Sequence, residues 1–114
     1  MRYALLICMD EAAQAAMSPE EGQARMARYF EFQEQAGSAI LAGERLYPTT
    51  DATTVRVQNG EVLASDGPFA ETKEQMAGFY LVEAKDLDEA IAIAAKIPTA
   101  QDGGSIEVRP VWEM

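Results

Sequence analysis

Histidine is absent from the 114 residues of the chain, and cysteine occurs once, at Cys8. Without histidine there is no Ser-His-Asp or Cys-His nucleophile system, no histidine general base and no histidine-ligated zinc. A single cysteine forms neither an internal disulfide nor a thiolate metal cluster. Cys8 lies in the apolar run YALLICM, where cysteine is usually a small core side chain. Any reaction must therefore use carboxylates, arginine, tyrosine or bound water.

Basic residues are also scarce. The chain has nine Lys and Arg but nineteen Asp and Glu, which gives a net charge of −10. No basic run offsets this charge, so we expect no nucleic-acid binding and no attachment to an anionic membrane. The first apolar run is too short to span a bilayer. It resembles a signal peptide, but Asp10 and Glu11 interrupt the pattern before a cleavage site, so we expect a cytoplasmic protein.

The length and the even composition predict one domain over residues 1–114, with 48% hydrophobic residues to form its core. Predicted strands are RYALLICMD, SAILAGERLY, the hairpin TTVRVQNGEVLAS with its turn at Asn59-Gly60, GFYLVEA and SIEVRPVW. Pro110 indicates that the last strand lies at a sheet edge.

Two helices are predicted between these strands. The first begins at SPEE, with Ser18 as N-cap and Pro19 at the first helical position, and ends at Gly37. Met26, Tyr29, Phe30 and Gln33 follow at helical spacing in it. Asp86 caps the second helix, and its predicted buried stripe is Leu87, Ala90, Ile91, Ala94 and Ile97.

This order of elements predicts an α+β fold, a ferredoxin-like βαββαβ sandwich with an inserted β-hairpin. Two helices cover only one face of such a sheet. The first strand and GFYLVEA are nevertheless apolar on both faces, so the other face must also be buried. We therefore infer a homodimer that packs sheet against sheet.

Glu44 is the first candidate site residue, because it is predicted to share a strand face with the apolar Ile40, Ala42 and Leu46. Burial would raise the pKa of this carboxyl group or demand a cationic partner. Arg109 and Arg2 are the possible partners. A structural ion pair at the dimer interface is as good an explanation as a functional site.

The segment DGPFAETKEQ, residues 66–75, supplies the other candidates. Asp66 can form an Asx turn, Gly67 allows an unusual φ, and Phe69 can fold back as a core anchor. A turn of this kind explains the segment as well as a ligand clamp does. Asp66, Glu44 and Glu71 could form a carboxylate group, but their spacing matches no known metal site. Nucleotide-binding motifs are absent, and we expect no metal and no cofactor.

The ordered segments MRYALLICMDEAA, SPEE, AGERLYP, ATTVRVQNGEVLASDGPFAETKEQ, GFYLVEAKDLDEA and IEVRPVW resemble the YCII-related family, specifically its DGPF-domain branch. The resemblance implies a ferredoxin-like fold that assembles as a dimeric α+β barrel. In the founding branch a His and an Asp are the suggested active site. This sequence lacks that dyad, since it has no histidine and reads AKIPTA where the acid would stand, so whether it is an enzyme stays open.

The sequence is consistent with two functions. The first is small-molecule binding, with or without catalysis, in a pocket between the dimer sheet face and the DGPF loop. Asp66 and Glu44 would be the acid–base groups, and Arg109, Phe69 and Glu71 would contact the ligand. The alternative is a non-enzymatic regulatory module that binds a protein partner, such as the extracytoplasmic-function sigma factors associated with this branch. A third explanation is that the signature serves only the scaffold.

Overall fold

The computed structural model describes residues 1–113 of the chain. Its strands are β1 (Arg2–Met9), β2 (Ile40–Arg45), β3 (Thr53–Gln58), β4 (Glu61–Asp66), β5 (Gln75–Glu83) and β6 (Ser105–Pro110). Its helices are α1 (Glu11–Ala15), α2 (Pro19–Ala36), α3 (Leu87–Ala95) and α4 (Pro98–Gln101). Among the described residues, no helix is both long and apolar enough to cross a membrane.

Four strands form one antiparallel sheet in the order β2-β5-β1-β6, and β3 and β4 form a separate hairpin. This is the strand order of a ferredoxin-like α+β sandwich, so the predicted fold class is confirmed. The hairpin is inserted between β2 and β5, as the sequence indicates. Strand β6 pairs only with β1 and lies at the edge expected from Pro110.

The predicted helix signals are present. Ser18 accepts a hydrogen bond from the Glu21 amide over 3.1 Å at the start of α2. Gly37 ends that helix at φ 52°, a backbone conformation that favours glycine. Asp86 accepts from the Glu89 amide over 2.9 Å at the start of α3. The short helix α1 was not predicted from the sequence.

The core lies between the sheet and helices α2 and α3. It is built by the alternate residues of β1 and β5 together with residues of the helices: Tyr3, Leu5, Ile7, Met9, Tyr80, Val82, Phe32, Ala90, Ala94 and Ile97. The predicted stripe of α3 is only partly right, because Leu87 and Ile91 are each 49% exposed. Helix α3 packs through its small alanines, and these bring its backbone close to the core.

The opposite face of the sheet carries no helix. Leu6 pairs with Phe79 and Ala4 with Leu81 on this helix-free face, and these apolar side chains are half-buried. Glu44 and Ala42 extend the face on β2. The predicted alternation along β2 is wrong at Ile40, because a β-bulge between Ile40 and Ala42 turns Ile40 toward the helices.

Candidate functional site

The DGPF segment begins with a turn that is held by hydrogen bonds between Gly67 and two residues at the start of β3, Ala52 and Thr54. Asp66 ends β4, and the Gly67 amide donates to the Ala52 carbonyl over 2.7 Å. The Thr54 hydroxyl donates to the Gly67 carbonyl over 2.8 Å. Gly67 has φ 97°, so the predicted unusual φ is confirmed. Neither of these bonds uses the Asp66 carboxylate. The predicted Asx turn at Asp66 is therefore not what holds the segment.

Phe69 does not anchor the segment in the core. Its side chain is 76% exposed, and the Arg56 guanidinium lies 5.1 Å from the centre of its ring. The prediction of a core anchor is therefore wrong, because the turn directs Phe69 toward the hairpin instead of the sheet. An exposed cation–π contact of this kind contributes about 0.5–1 kcal/mol. Glu71, two residues on, is also exposed.

Glu44 and Arg109 lie at opposite edges of the sheet, on β2 and β6. Three strand spacings separate these edges, which amounts to about 14 Å. Arg109 forms an ion pair with Glu107 on its own strand. A single chain therefore does not join Glu44 to Arg109. Across the described residues, no three His, Cys, Asp or Glu side chains are grouped to hold a metal ion.

A cavity lies elsewhere, between helix α2 and the side of the sheet formed by β2 and β5. We call it the α2 cleft, and it has a volume of about 920 Å³. Its apolar lining comes mainly from α1, α2 and the strands: Ile7, Met9, Ala12, Ala15, Met17, Met26, Tyr29, Phe30, Leu46, Pro48, Ala77, Phe79 and Tyr80. Glu44 borders the cleft, whereas Asp66, Phe69, Glu71 and Arg109 do not line it.

Two of the four charged residues that line the α2 cleft, Arg25 and Glu11, have partners within the chain. Arg25 lines the cleft and donates to Asp102 over 3.2 Å, and Arg28 donates to the same carboxylate over 2.9 Å. These arginines, Arg28 first, lower the pKa of Asp102. The Glu11 carboxylate accepts from the amide and the hydroxyl of Thr49, each over 2.8 Å. The other two, Glu44 and Arg45, are exposed and carry opposite charges, so the lining of the cleft has no net charge.

Tyr80 stands at one end of the α2 cleft. Its hydroxyl accepts a hydrogen bond from the Gln33 side-chain amide over 2.8 Å, and its ring centre lies 5.3 Å from that of Phe32. Gly43 lies directly beneath the ring, since a Cβ built there would come within 2.5 Å of the Tyr80 Cδ1. Gln33, Gly43 and Tyr80 also line a second cavity of about 300 Å³ toward the end of α2.

Two further groups near the site have shifted pKa values. The Tyr29 hydroxyl, which lines the α2 cleft, is hydrogen-bonded to Thr99 over 2.5 Å, and burial raises its pKa. Burial likewise raises the pKa of the Cys8 thiol, assisted by Glu107 and Glu74. A thiol with a raised pKa carries little thiolate at neutral pH. Cys8 is half-buried on the helix-free face and is not part of the core, so the prediction of a core side chain is wrong.

The spacing of Met26, Tyr29, Phe30 and Gln33 predicts one helical face, but it does not predict that this face lines a cleft. Tyr80 and Gly43 are not among the site residues predicted from the sequence. The available signal was Gly43, because a glycine inside a strand often marks the close approach of another group.

The fold and the cleft define a small α+β domain with a ligand-sized cavity on the helix-bearing side of its sheet. The family model of the YCII-related domain matches residues 1–114, and the chain belongs to this family. The chain is also similar to an uncharacterised protein of Rhizobium meliloti (strain 1021), with 44% identity over 97% of this chain and 92% of the relative. Assignment to the DGPF-domain branch stays a prediction.

Proposed function

We propose that this protein binds a small, neutral, mostly apolar molecule in the α2 cleft. The observation that carries the proposal is the exposure of large apolar side chains toward the cleft. Met26 is 49% exposed and Phe30 is 63% exposed, and both line the cleft. A helix that only stabilised the core would close on the sheet and bury these side chains. Large apolar surfaces left open in a concavity are typical of binding sites.

The size and chemistry of the α2 cleft support this function. A volume of about 920 Å³ lies near the upper end of the range of small-molecule pockets, about 300–1,000 Å³. Met9, Met17 and Met26 supply flexible, polarizable surface that adapts to different ligand shapes. The charged residues of the lining, Glu11, Arg25, Glu44 and Arg45, carry no net charge together, and this favours a neutral ligand over a charged one.

The methionines allow a direct test without altering the protein. Methyl groups of ¹³C-labelled methionine would be followed by NMR during titration with N-phenyl-1-naphthylamine, a neutral aromatic probe. We expect ring-current shifts at Met9, Met17 and Met26. Met1 and Met76 do not line the cleft and serve as internal references. Shifts confined to Met1 or Met76, or no saturable shift, would contradict the proposal.

A pair of variants on α2 provides the matched control. Gly22 lines the cleft, and no atom lies within 4 Å of the position that a Cβ would take there, so Gly22→Phe would project a ring into the cavity. Ala27 is exposed on the other side of the same helix. We expect Gly22→Phe to weaken probe binding by about fivefold or more, a change of about 1 kcal/mol. Ala27→Phe should bind the probe as the wild type does.

The homodimer and the pocket beside the DGPF loop stay predictions. They are supported by the apolar helix-free face and by the charges at its two edges, Glu44 on β2 and Arg109 on β6. A second copy related by a two-fold axis parallel to the strands would place Arg109 of one chain near Glu44 of the other. Asp66, Phe69 and Glu71 would then contribute to a site only where the partner chain completes it.

The regulatory alternative rests on charge. The net charge is −10, and Arg2, Arg25, Arg28 and Arg109 form ion pairs with acidic groups of the chain. The remaining acidic surface suits a basic protein partner such as an extracytoplasmic-function sigma factor. Co-purification with a candidate sigma factor at low and high salt tests this function. Retention at low salt only would support it, and no retention at either salt concentration would contradict it.

A further inference from the structure

Two cavities meet at one hydrogen-bonded pair. Gln33, Gly43 and Tyr80 line both the α2 cleft and the cavity of about 300 Å³ beside it. The pair of Gln33 and Tyr80 therefore stands at the junction of a large apolar compartment and a smaller one. A ligand that fills the α2 cleft reaches this pair at one end.

The hydrogen-bonding capacity of Tyr80 is only partly used. A phenolic hydroxyl has one proton to donate and lone pairs to accept with. The Tyr80 hydroxyl accepts from the Gln33 amide, so that bond leaves its own proton for another acceptor. The residue is 6% exposed, so bulk water has little access to it. A buried donor without an acceptor is unfavourable, and a ligand oxygen would relieve this cost.

Several polar groups of the cleft are already engaged within the chain. The Tyr29 hydroxyl lines the same cleft but is already engaged with Thr99. Arg25 is paired with Asp102, and Glu11 with Thr49. Two other hydroxyl residues line the cleft, but Tyr47 is 86% exposed and Ser18 caps α2. Tyr80 is thus the buried hydroxyl of the cleft that accepts a hydrogen bond and keeps its proton for a ligand, and a single neutral donor matches a neutral oxygen acceptor better than a carboxylate or a phosphate.

We propose that Tyr80 is the specificity-determining residue of the α2 cleft and donates a hydrogen bond to a carbonyl oxygen of the ligand. The inference rests on the proposed function and extends it to a ligand class: neutral molecules with an apolar body and a ketone, ester or amide oxygen at one end. Gly43 and Gln33 are positioning residues. Gly43 leaves room for the ring, and Gln33 fixes the direction of the hydroxyl.

Two neutral naphthalene probes test the inference. Prodan carries a ketone whose emission shifts to the red when its oxygen accepts a hydrogen bond, whereas N-phenyl-1-naphthylamine has no carbonyl group. We expect Tyr80→Phe to weaken prodan binding by about 3- to 10-fold, the range for one lost hydrogen bond. The emission of bound prodan should move to the blue, and the affinity for N-phenyl-1-naphthylamine should stay unchanged.

Tyr3→Phe is the matched control, because it removes the hydroxyl of a buried tyrosine that donates to the Met1 sulfur and does not line the cleft. It should leave the emission of bound prodan and the ratio of the two affinities as in the wild type. An unchanged prodan affinity and emission in Tyr80→Phe would overturn the inference alone. Loss of the prodan preference in Gln33→Met but not in Tyr80→Phe would also overturn it. Failure of both probes to bind the wild type would overturn the proposed function together with the inference.

Discussion

Gly43→Ala tests the packing on which the site depends. Gly43 is in β2, directly opposite Tyr80 in β5. A Cβ at this position would lie 2.5 Å from the Tyr80 Cδ1, 2.9 Å from its Cε1 and 3.1 Å from the Phe79 carbonyl oxygen. Real Cβ atoms do not approach other atoms so closely, so the ring of Tyr80 must move.

The expected cost follows from two effects. Overpacking a core by one methyl group costs about 1–3 kcal/mol. Displacing the Tyr80 ring also breaks its hydrogen bond to Gln33, which contributes about 0.5–1.5 kcal/mol. We therefore expect a loss of about 2–4 kcal/mol in the free energy of unfolding. This is a large part of the total stability of a small domain, which is about 5–15 kcal/mol.

The assay is urea unfolding followed by circular dichroism at one fixed protein concentration, with thermal unfolding as a second measure. A loss of 2–4 kcal/mol corresponds to about 8–16 °C in Tm for a domain of this size. Gly22→Ala is the control, because nothing lies within 4 Å of its Cβ position in α2. Both substitutions reduce the entropy of the unfolded chain equally, so the difference between the two variants isolates the contact with Tyr80.

Gly22→Ala should stabilise the protein by about 0.5–1 kcal/mol, as expected for glycine replaced inside a helix. A loss below about 1 kcal/mol in Gly43→Ala would refute the reasoning, because the overpacking range begins there. Such a result would mean that the ring of Tyr80 is not held against the strand.

Three further predictions concern charge and capping. If the helix-free faces pack together, Glu44→Arg or Arg109→Glu alone should weaken self-association in sedimentation equilibrium. The double variant, in which both charges are reversed, should restore it. Equal association in all variants would contradict that packing. Arg28 and Arg25 lower the pKa of Asp102 below its ordinary value of 3.8. The stability that the ionised carboxylate contributes is therefore present above pH 3.8 and is lost as the pH falls through the pKa of the folded state. Asp102→Asn should therefore flatten the decline of stability with acidification below about pH 4, measured by urea unfolding at several pH values, and an unchanged slope would count against the pair. Ser18→Ala should cost about 1 kcal/mol by removing the N-cap of α2, and Ser18→Asp should retain most of the stability.

The sequence predicts local features of the fold well because their causes are local. Asn59-Gly60 is the turn of the β3–β4 hairpin, with φ values of 52° and 76°. Ser18 and Asp86 cap their helices through bonds that span only three residues. The order of strands also follows, because a βαββαβ chain has few ways to form one antiparallel sheet.

The site was harder to predict because it depends on distances between elements. The spacing of Met26 and Phe30 indicates one face of α2, but not that this face stands away from the sheet. The local turn at Gly67 was predicted, whereas the direction of Phe69 after it depends on the position of Arg56 across the hairpin. The bulge after Ile40 changes which side chains of β2 share a face, and the alternating pattern of residues does not reveal it.

The hairpin of β3 and β4 is separate from the four-stranded sheet, so we expect the hairpin and the rest of the chain to unfold as two units. Six residue pairs join β3 to β4, and no strand pairing joins either of them to the four-stranded sheet. Val55, Val57 and Val62 are each more than 60% exposed, so little apolar burial supports this ladder. A lone two-stranded hairpin is only marginally stable in water. The amide protons of the hairpin should therefore exchange through local opening, while those of β1 and β5 exchange only when the whole sheet unfolds. A spectroscopic label on the hairpin would then report a different unfolding transition from a label in the core.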